Sequence, residues 1–270
     1  MNDTVDQTFI RMPDPDAPIF RIFSLWFFEA LLQQKQLVLV TPDQWEDPFE
    51  VLAHNIQMND TSTRPYTFEE LSPYLTPLYA QCWSKTHESD TLLRAYSRVV
   101  LDPYLRRNIT PRDEGVKVRT SPRKLSNVLA RWKKGSITRS FYIGCVRYGT
   151  RDQVLQELAN LIGNHGPVAL GRGHLRAELS LLKRQAYAHE AEVRAICIDG
   201  QPASEQPMIR IQVEPNELIE EVEFDPRLIT FERKEREAVA KSLGYEGPFG
   251  DSGLYQGQDL EVVLPNGWKK

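Results

Sequence analysis

Residues 184–200 read RQAYAHEAEVRAICIDG, and the run VRAICI at 193–198 decides the class of the fold. It is short, apolar and closed by Asp199-Gly200, the pattern of a β-strand. Runs of the same kind surround it: LVLV at 37–40, GVKVRT at 115–120, FYIGCVRY at 141–148, MIRIQV at 208–213 and IEEVEF at 219–224. Helical patterns lie between them. Behind Ser24, an N-cap residue, SLWFFEALLQQKQ places apolar residues at 25, 26, 28, 31 and 32. Ser121-Pro122 opens a helix over 121–131, with further helices expected at 150–162, 174–185 and 232–243, around 67–79, and over 88–107. Strands crowding the C-terminal half among scattered helices predict an α+β fold around a mixed, mostly antiparallel sheet.

At 270 residues the chain can bury a substantial core, and its polar, proline-rich start reads as a flexible lead-in over 1–18 before one domain at 19–270. A hydrophobic share of 41% with 26% charged residues excludes a disordered or fibrous chain. Apolar runs fall short of a membrane span and the acidic start lacks a signal-peptide pattern, which places the protein in the cytoplasm. Three cysteines without CxxC spacing give neither a disulfide framework nor a zinc site. Charge is uneven within a net of −4: residues 105–139 hold eleven Arg and Lys against two acids, whereas 214–225 is strongly acidic. The basic stretch is either a surface for a phosphate-bearing or polynucleotide partner or a solvated face.

The stretch 184–200 also raises a chemical question. Glu190 and Glu192 sit two apart at the mouth of the strand, so on an extended backbone they share a face about 7 Å apart. Like charges that close raise one pKa, useful in a general base. The alternative is an ion pair with Arg194, Arg184 or Lys183. Arg21 is a cation inside the apolar run IFRIF, and its planar fork suits a diphosphate or a carboxylate such as Asp47 or Glu50.

The stretches FRIFSLWFFEALLQQKQLVLVTPDQWEDPFE, CWSKTHESDTLLRAYS, EGVKVRTSPRKL, KRQAYAHEAEVRAICI and the C-terminal FDPR and SGLY together resemble a bacterial domain-of-unknown-function family across nearly the whole chain. Glu46 stands where that family usually has asparagine and Leu93 where tryptophan is common, while Tyr187 and His189 occupy its aromatic positions. The order Arg21, Ser84, Glu190-Ala191-Glu192 also resembles ADP-ribosyltransferases of the Arg–Ser–Glu class. That resemblance implies NAD as the substrate cofactor, an ADP-ribosyltransferase-like fold, and transfer of ADP-ribose to a macromolecule, nucleic acid through 105–139 or a protein. It assigns Glu192 to the nicotinamide ribose, Glu190 to the acceptor, Arg21 to the phosphates or ribose, and Ser84 to the nicotinamide pocket. Tyr96, Tyr187 and Trp83 are candidates for an aromatic lid, with core packing as the alternative. A toxin or phage-defence role, with an antitoxin or immunity partner, is implied by the same likeness.

Two other readings compete. His189 beside two glutamates, with Asp47 and Glu50, suggests a divalent-metal nuclease or phosphoesterase. Its position across an extended backbone from both glutamates counts against shared ligation, and the other histidines form no zinc pattern, so no metal is expected. The third reading is a non-catalytic module that binds a nucleotide or a partner.

Overall fold

The computed structural model describes residues 7–45, 47, 50, 56–60, 62, 67–200, 206–255 and 267. Residues 1–6 of the expected lead-in, Glu46 and part of the DPFE turn lie outside them. The strands are β1 (Phe9–Ile10), β2 (Ile19–Ser24), β3 (Gln36–Val40), β4 (Gln57–Asp60), β5 (Thr67–Glu70), β6 (Leu78–Ser84), β7 (Gly115–Thr120), β8 (Arg139–Cys145), β9 (Arg147–Gly149), β10 (Leu182–Arg184), β11 (Glu192–Asp199), β12 (Met208–Gln212) and β13 (Glu221–Phe224). The helices are α1 (Leu25–Gln34), α2 (Asp90–Tyr96), α3 (Pro122–Lys133), α4 (Arg151–Leu170), α5 (Gly173–Leu179), α6 (Pro215–Leu218) and α7 (Thr230–Ser242).

The architecture is α+β. One nine-stranded sheet runs β1-β8-β11-β6-β2-β7-β13, with β3 joining β6 to β12. Every pairing in it is antiparallel except β1 with β8, which brings residues 9–10 of the expected lead-in onto the sheet edge. β11 is central, paired over most of its length to β8 on one side and β6 on the other. Val193, Ala195 and Cys197 enter the larger core with Phe28 of α1 and Leu125 and Leu129 of α3. Ile196 and Ile198 enter a second core with Ile10, Leu78, Ala80, Ala177 and Leu181. Both faces are covered, which is why VRAICI reads as an unbroken apolar run. By the two-residue period, Glu192 and Arg194 lie on the face of Ile196.

Several elements differ from the sequence expectation. The helix expected around 67–79 is instead β5, a short 3-10 turn at Ser72–Tyr74 and the start of β6. Pro73 and Pro77 deny a helix its interior amide donors. The helix expected over 88–107 ends at Tyr96, ahead of the β-branched pair Val99-Val100 and Pro103. Ser89 caps it, its hydroxyl accepting from the Leu92 amide. By contrast α4 overruns its expected end at 162 and reaches Leu170, broken at Gly166, where φ is 75°, just before Pro167. No described helix is long and apolar enough to cross a membrane.

Candidate functional site

A cross-strand row organises the site. Glu192 of β11 pairs directly with Ser84 of β6, Ser84 with Phe20 of β2, Phe20 with Arg119 of β7, and Arg119 with Glu221 of β13. Directly paired residues share a face of a sheet, so the row fixes its side chains as neighbours. β2 meets β6 at the single position Phe20–Ser84, and next to it the Arg21 guanidinium donates to the Cys82 carbonyl oxygen. Three residues expected to cooperate, Arg21, Ser84 and Glu192, therefore sit where β2, β6 and β11 come together.

Glu190 is not on the strand. It ends a 3-10 turn, Gln185–Glu190, and Ala191 takes a left-handed conformation (φ 44°, ψ 50°) before β11 begins. The expected in-phase pair on an extended backbone is replaced by a turn, yet both carboxylates still converge. They converge on Lys183. Its Nζ donates to Glu190 Oε2 at 2.6 Å and to Glu192 Oε2 at 3.3 Å, and lies 3.0 Å from Glu50 Oε1. Lys183 is carried by β10, where it is paired with Tyr148 of β9. The Tyr148 hydroxyl in turn accepts from the Glu192 amide at 2.8 Å.

Arg194 completes the network and is 1% exposed. It donates to Glu192 Oε2 at 2.7 Å, to Glu50 Oε1 at 2.6 Å and to the Ser180 carbonyl at 2.5 Å, with its guanidinium 4.4 Å from the Trp45 ring. The ion pairs named as alternatives for the glutamates are thus present with Lys183 and Arg194. Those named for Arg21 are not: Asp47 binds Arg184 at 2.6 Å, and Glu50 serves Lys183 and Arg194. Among the described residues no carboxylate lies within ion-pair distance of Arg21. Burial lowers its pKa, with Cys82, Tyr96 and Glu192 pulling it back up.

The environment drives the two glutamates apart. Glu190 is raised, first by burial, against the pull of Lys183. Glu192 is also pushed up by burial, but Arg194 and Lys183 outweigh this and leave it below the usual carboxylate value. One acid is thereby held ionised while the other holds its proton more readily, the separation expected of an acid–base pair. Cys82, opposite Arg194 on β6, has its thiol pushed up by burial and by Glu192, so it is no nucleophile.

The remaining candidates divide. Tyr96 ends α2 with 52% of its surface exposed, and burial of its hydroxyl followed by Glu190 pushes its pKa up to about 12. Tyr187 is half-buried in the 3-10 turn with Lys183 Nζ 4.7 Å from its ring centroid, inside the network. Trp83 is 3% exposed, joins the larger core and donates to Gln81 Oε1, which makes it a core residue. Ser84 donates to the Glu190 carbonyl at 2.6 Å and accepts from the Thr86 amide, so its hydroxyl ties the 3-10 turn to β6. His189 is exposed, and among the described residues no group of three His, Cys, Asp or Glu could hold a metal ion. Sequence reasoning named Lys183 only as an ion-pair alternative and gave no role to Tyr148 or Trp45, which no local spacing marks.

A recess of about 310 Å³, counting its open mouth, adjoins the row beyond Phe20, bounded by Ile22, His87, Lys117, Glu223 and Leu254. The His87 ring lies 5.0 Å from that of Phe20.

Four of the eleven basic residues of 105–139 pair with the acidic stretch. Lys117 pairs with Glu223, Arg119 with Glu220 and Glu221, Lys124 with Glu220, and Arg131 with Glu217. Antiparallel pairing of β13 beside β7 sets Lys117 against Glu223 and Arg119 against Glu221.

No protein-family model matches the chain, and no curated protein matches it in sequence. Among solved structures it aligns with Thermus sp. 2.9 DarT in complex with ADP-ribosylated ssDNA, at 11% identity over 88% of this chain and 95% of that one, with a TM-score of 0.37. The same protein in complex with NAD+ gives 11% identity, 88% and 96% coverage and a TM-score of 0.35. Values this low establish neither a shared fold nor a shared activity.

Proposed function

We propose that this chain is an NAD-dependent ADP-ribosyltransferase-like enzyme that modifies a macromolecule. The observation that carries the reading is the meeting of Arg21, Ser84 and Glu192 at the junction of β2, β6 and β11. In the proposed reaction the bond from ribose C1′ to the nicotinamide nitrogen breaks, and its electron pair leaves with the neutral ring. An electron-poor ribose remains. The Glu192 carboxylate, held ionised by Arg194 and Lys183, stabilises that positive charge, as carboxylates do in glycoside hydrolysis. An acceptor nucleophile then bonds to C1′ and gives up its proton to the Glu190 carboxylate, whose proton affinity burial raises. Arg21, a cation without a carboxylate partner among the described residues, supplies the guanidinium for the dinucleotide phosphates. The single domain over 19–270 belongs to the same reading.

A second reading rests on one observation. Glu192 is 5% exposed and its Oε2 is already bonded by two cations, the arrangement of a structural network in a module that binds nucleotide without turning it over. Incubation with NAD labelled on the adenosine side, with and without cell extract, separates the two. Transfer to macromolecules or release of nicotinamide, lost on Glu192→Gln, supports the transferase; binding without cleavage supports the module. A toxin role adds that expression slows growth and that Glu192→Gln restores it.

A further inference from the structure

The segment between α2 and β7 folds back on itself and is braced from beneath. Leu101 bridges Asn108, and the Ile109 amide donates to the Val100 carbonyl at 2.9 Å. Asn108 is 7% exposed. Its amide donates to Glu232 at 2.8 Å and its side chain to Glu114 at 2.9 Å, both carboxylates being buried. Arg236 neutralises Glu114 at 2.6 Å. Burying carboxylates and an amide is costly unless they bond: Glu114 is held at both oxygens, whereas Glu232 is bonded through Oε1 and its Oε2 has no hydrogen-bond partner among the described residues. What the brace presents is unusual for a soluble surface: Tyr104 is 92% exposed, and Arg106 stands beside it in a left-handed conformation (φ 59°).

The platform extends in two directions. Arg112 accepts from the Trp26 amide through its carbonyl, and Trp26, 55% exposed, packs against Phe27 with ring centroids 5.2 Å apart. Arg107 lies 5.2 Å above the exposed Phe231 ring. The charges here differ from the four that pair with the acidic stretch. Arg107 is shared with Glu235, but among the described residues Arg106 and Arg112 have no carboxylate within ion-pair distance.

We propose that this platform binds single-stranded polynucleotide, and so deepens the reading of the acceptor as a macromolecule, on which it rests. Exposed rings stack unpaired bases of any sequence, and guanidinium groups between them take the phosphates. Two arginines left without acids, in a chain of net charge −4, complement a polyanion. A duplex offers the rings no free base face.

The test uses the full chain without NAD, so that failure of NAD cleavage and failure of this surface are read separately. Fluorescein-labelled oligothymidine and oligouridine of about 20 nucleotides, and a DNA duplex of equal length, are titrated by anisotropy. Saturable single-strand binding is expected, weakened about tenfold or more by R106E/R112E and about fivefold by Y104A, with a steep salt dependence and weaker duplex binding. The DNA and RNA arms identify which strand is preferred. Absence of saturable binding, binding unchanged in R106E/R112E, or equal affinity for duplex overturns the proposal, and the first of these leaves a protein as the occupant.

Discussion

Two sets of Lys/Arg–Glu pairs in this molecule behave as different materials. At the head of β11, Glu50, Lys183, Glu192 and Arg194 have side chains no more than 7% exposed. On the helical side of the charged surface, Arg131 and Glu217 pair at 2.8 Å with side chains 57% and 60% exposed. The lengths are similar. What differs is water: the surface pair is screened and contributes little, whereas each buried charge depends on its partner to offset desolvation. Only the buried set separates the affinities of two carboxylates for a proton, and chemistry needs that separation.

Breaking each set in turn tests the contrast. The largest effect is expected from Arg194→Met, which strips both Glu50 and Glu192 of a partner while keeping the side chain's bulk. A loss of about 3–5 kcal/mol in urea unfolding is expected; a loss under about 1 kcal/mol, the level of an exposed pair, would erase the distinction.

Next come opposite pH slopes for the two glutamates. Glu192 lies below its ordinary 4.5, so its ionisation stabilises the fold above that pH, and the contribution is lost as pH falls from there through the lowered value. Glu190 lies above 4.5, so its ionisation costs stability as pH rises from there through the raised value. Relative to wild type, Glu192→Gln should therefore be less stable at neutral pH and converge with it in acid. Glu190→Gln should gain on wild type as pH rises. Parallel stability–pH curves for the two variants would contradict the assignment.

The smallest effect belongs to the surface. Arg131→Ala should change stability by less than about 0.5 kcal/mol and leave the unfolding slope unaltered.

How much of this was legible in sequence depended on whether the pattern was local. The strand at 115–120 and the core of β11 could be read because their apolar runs and turn residues are contiguous. Arg21, Ser84 and Glu192 were readable as candidates because their order along the chain resembles that of Arg–Ser–Glu ADP-ribosyltransferases. The turn that carries Glu190 was not, since nothing in AHEAEV marks Ala191 as left-handed. Lys183 was named as an ion-pair partner of the glutamates, but its contact with Glu50 spans more than a hundred residues and only the fold reveals it. The basic and acidic stretches were both visible, but that Lys117 faces Glu223 and Arg119 faces Glu221 follows from β13 lying beside β7. The strand at 67–70 was lost to a helical reading because tertiary pairing with β4 decided it, not propensity.

The proposed reaction cleaves NAD through Glu192 at the junction of β2, β6 and β11. Release of nicotinamide from NAD by purified wild type and Glu192→Gln tests it directly, with both proteins first shown by thermal melting to be folded at the assay temperature. The account predicts release by wild type and a fall of about a hundredfold or more in the variant. No release by wild type, or release that the substitution leaves intact, would contradict it.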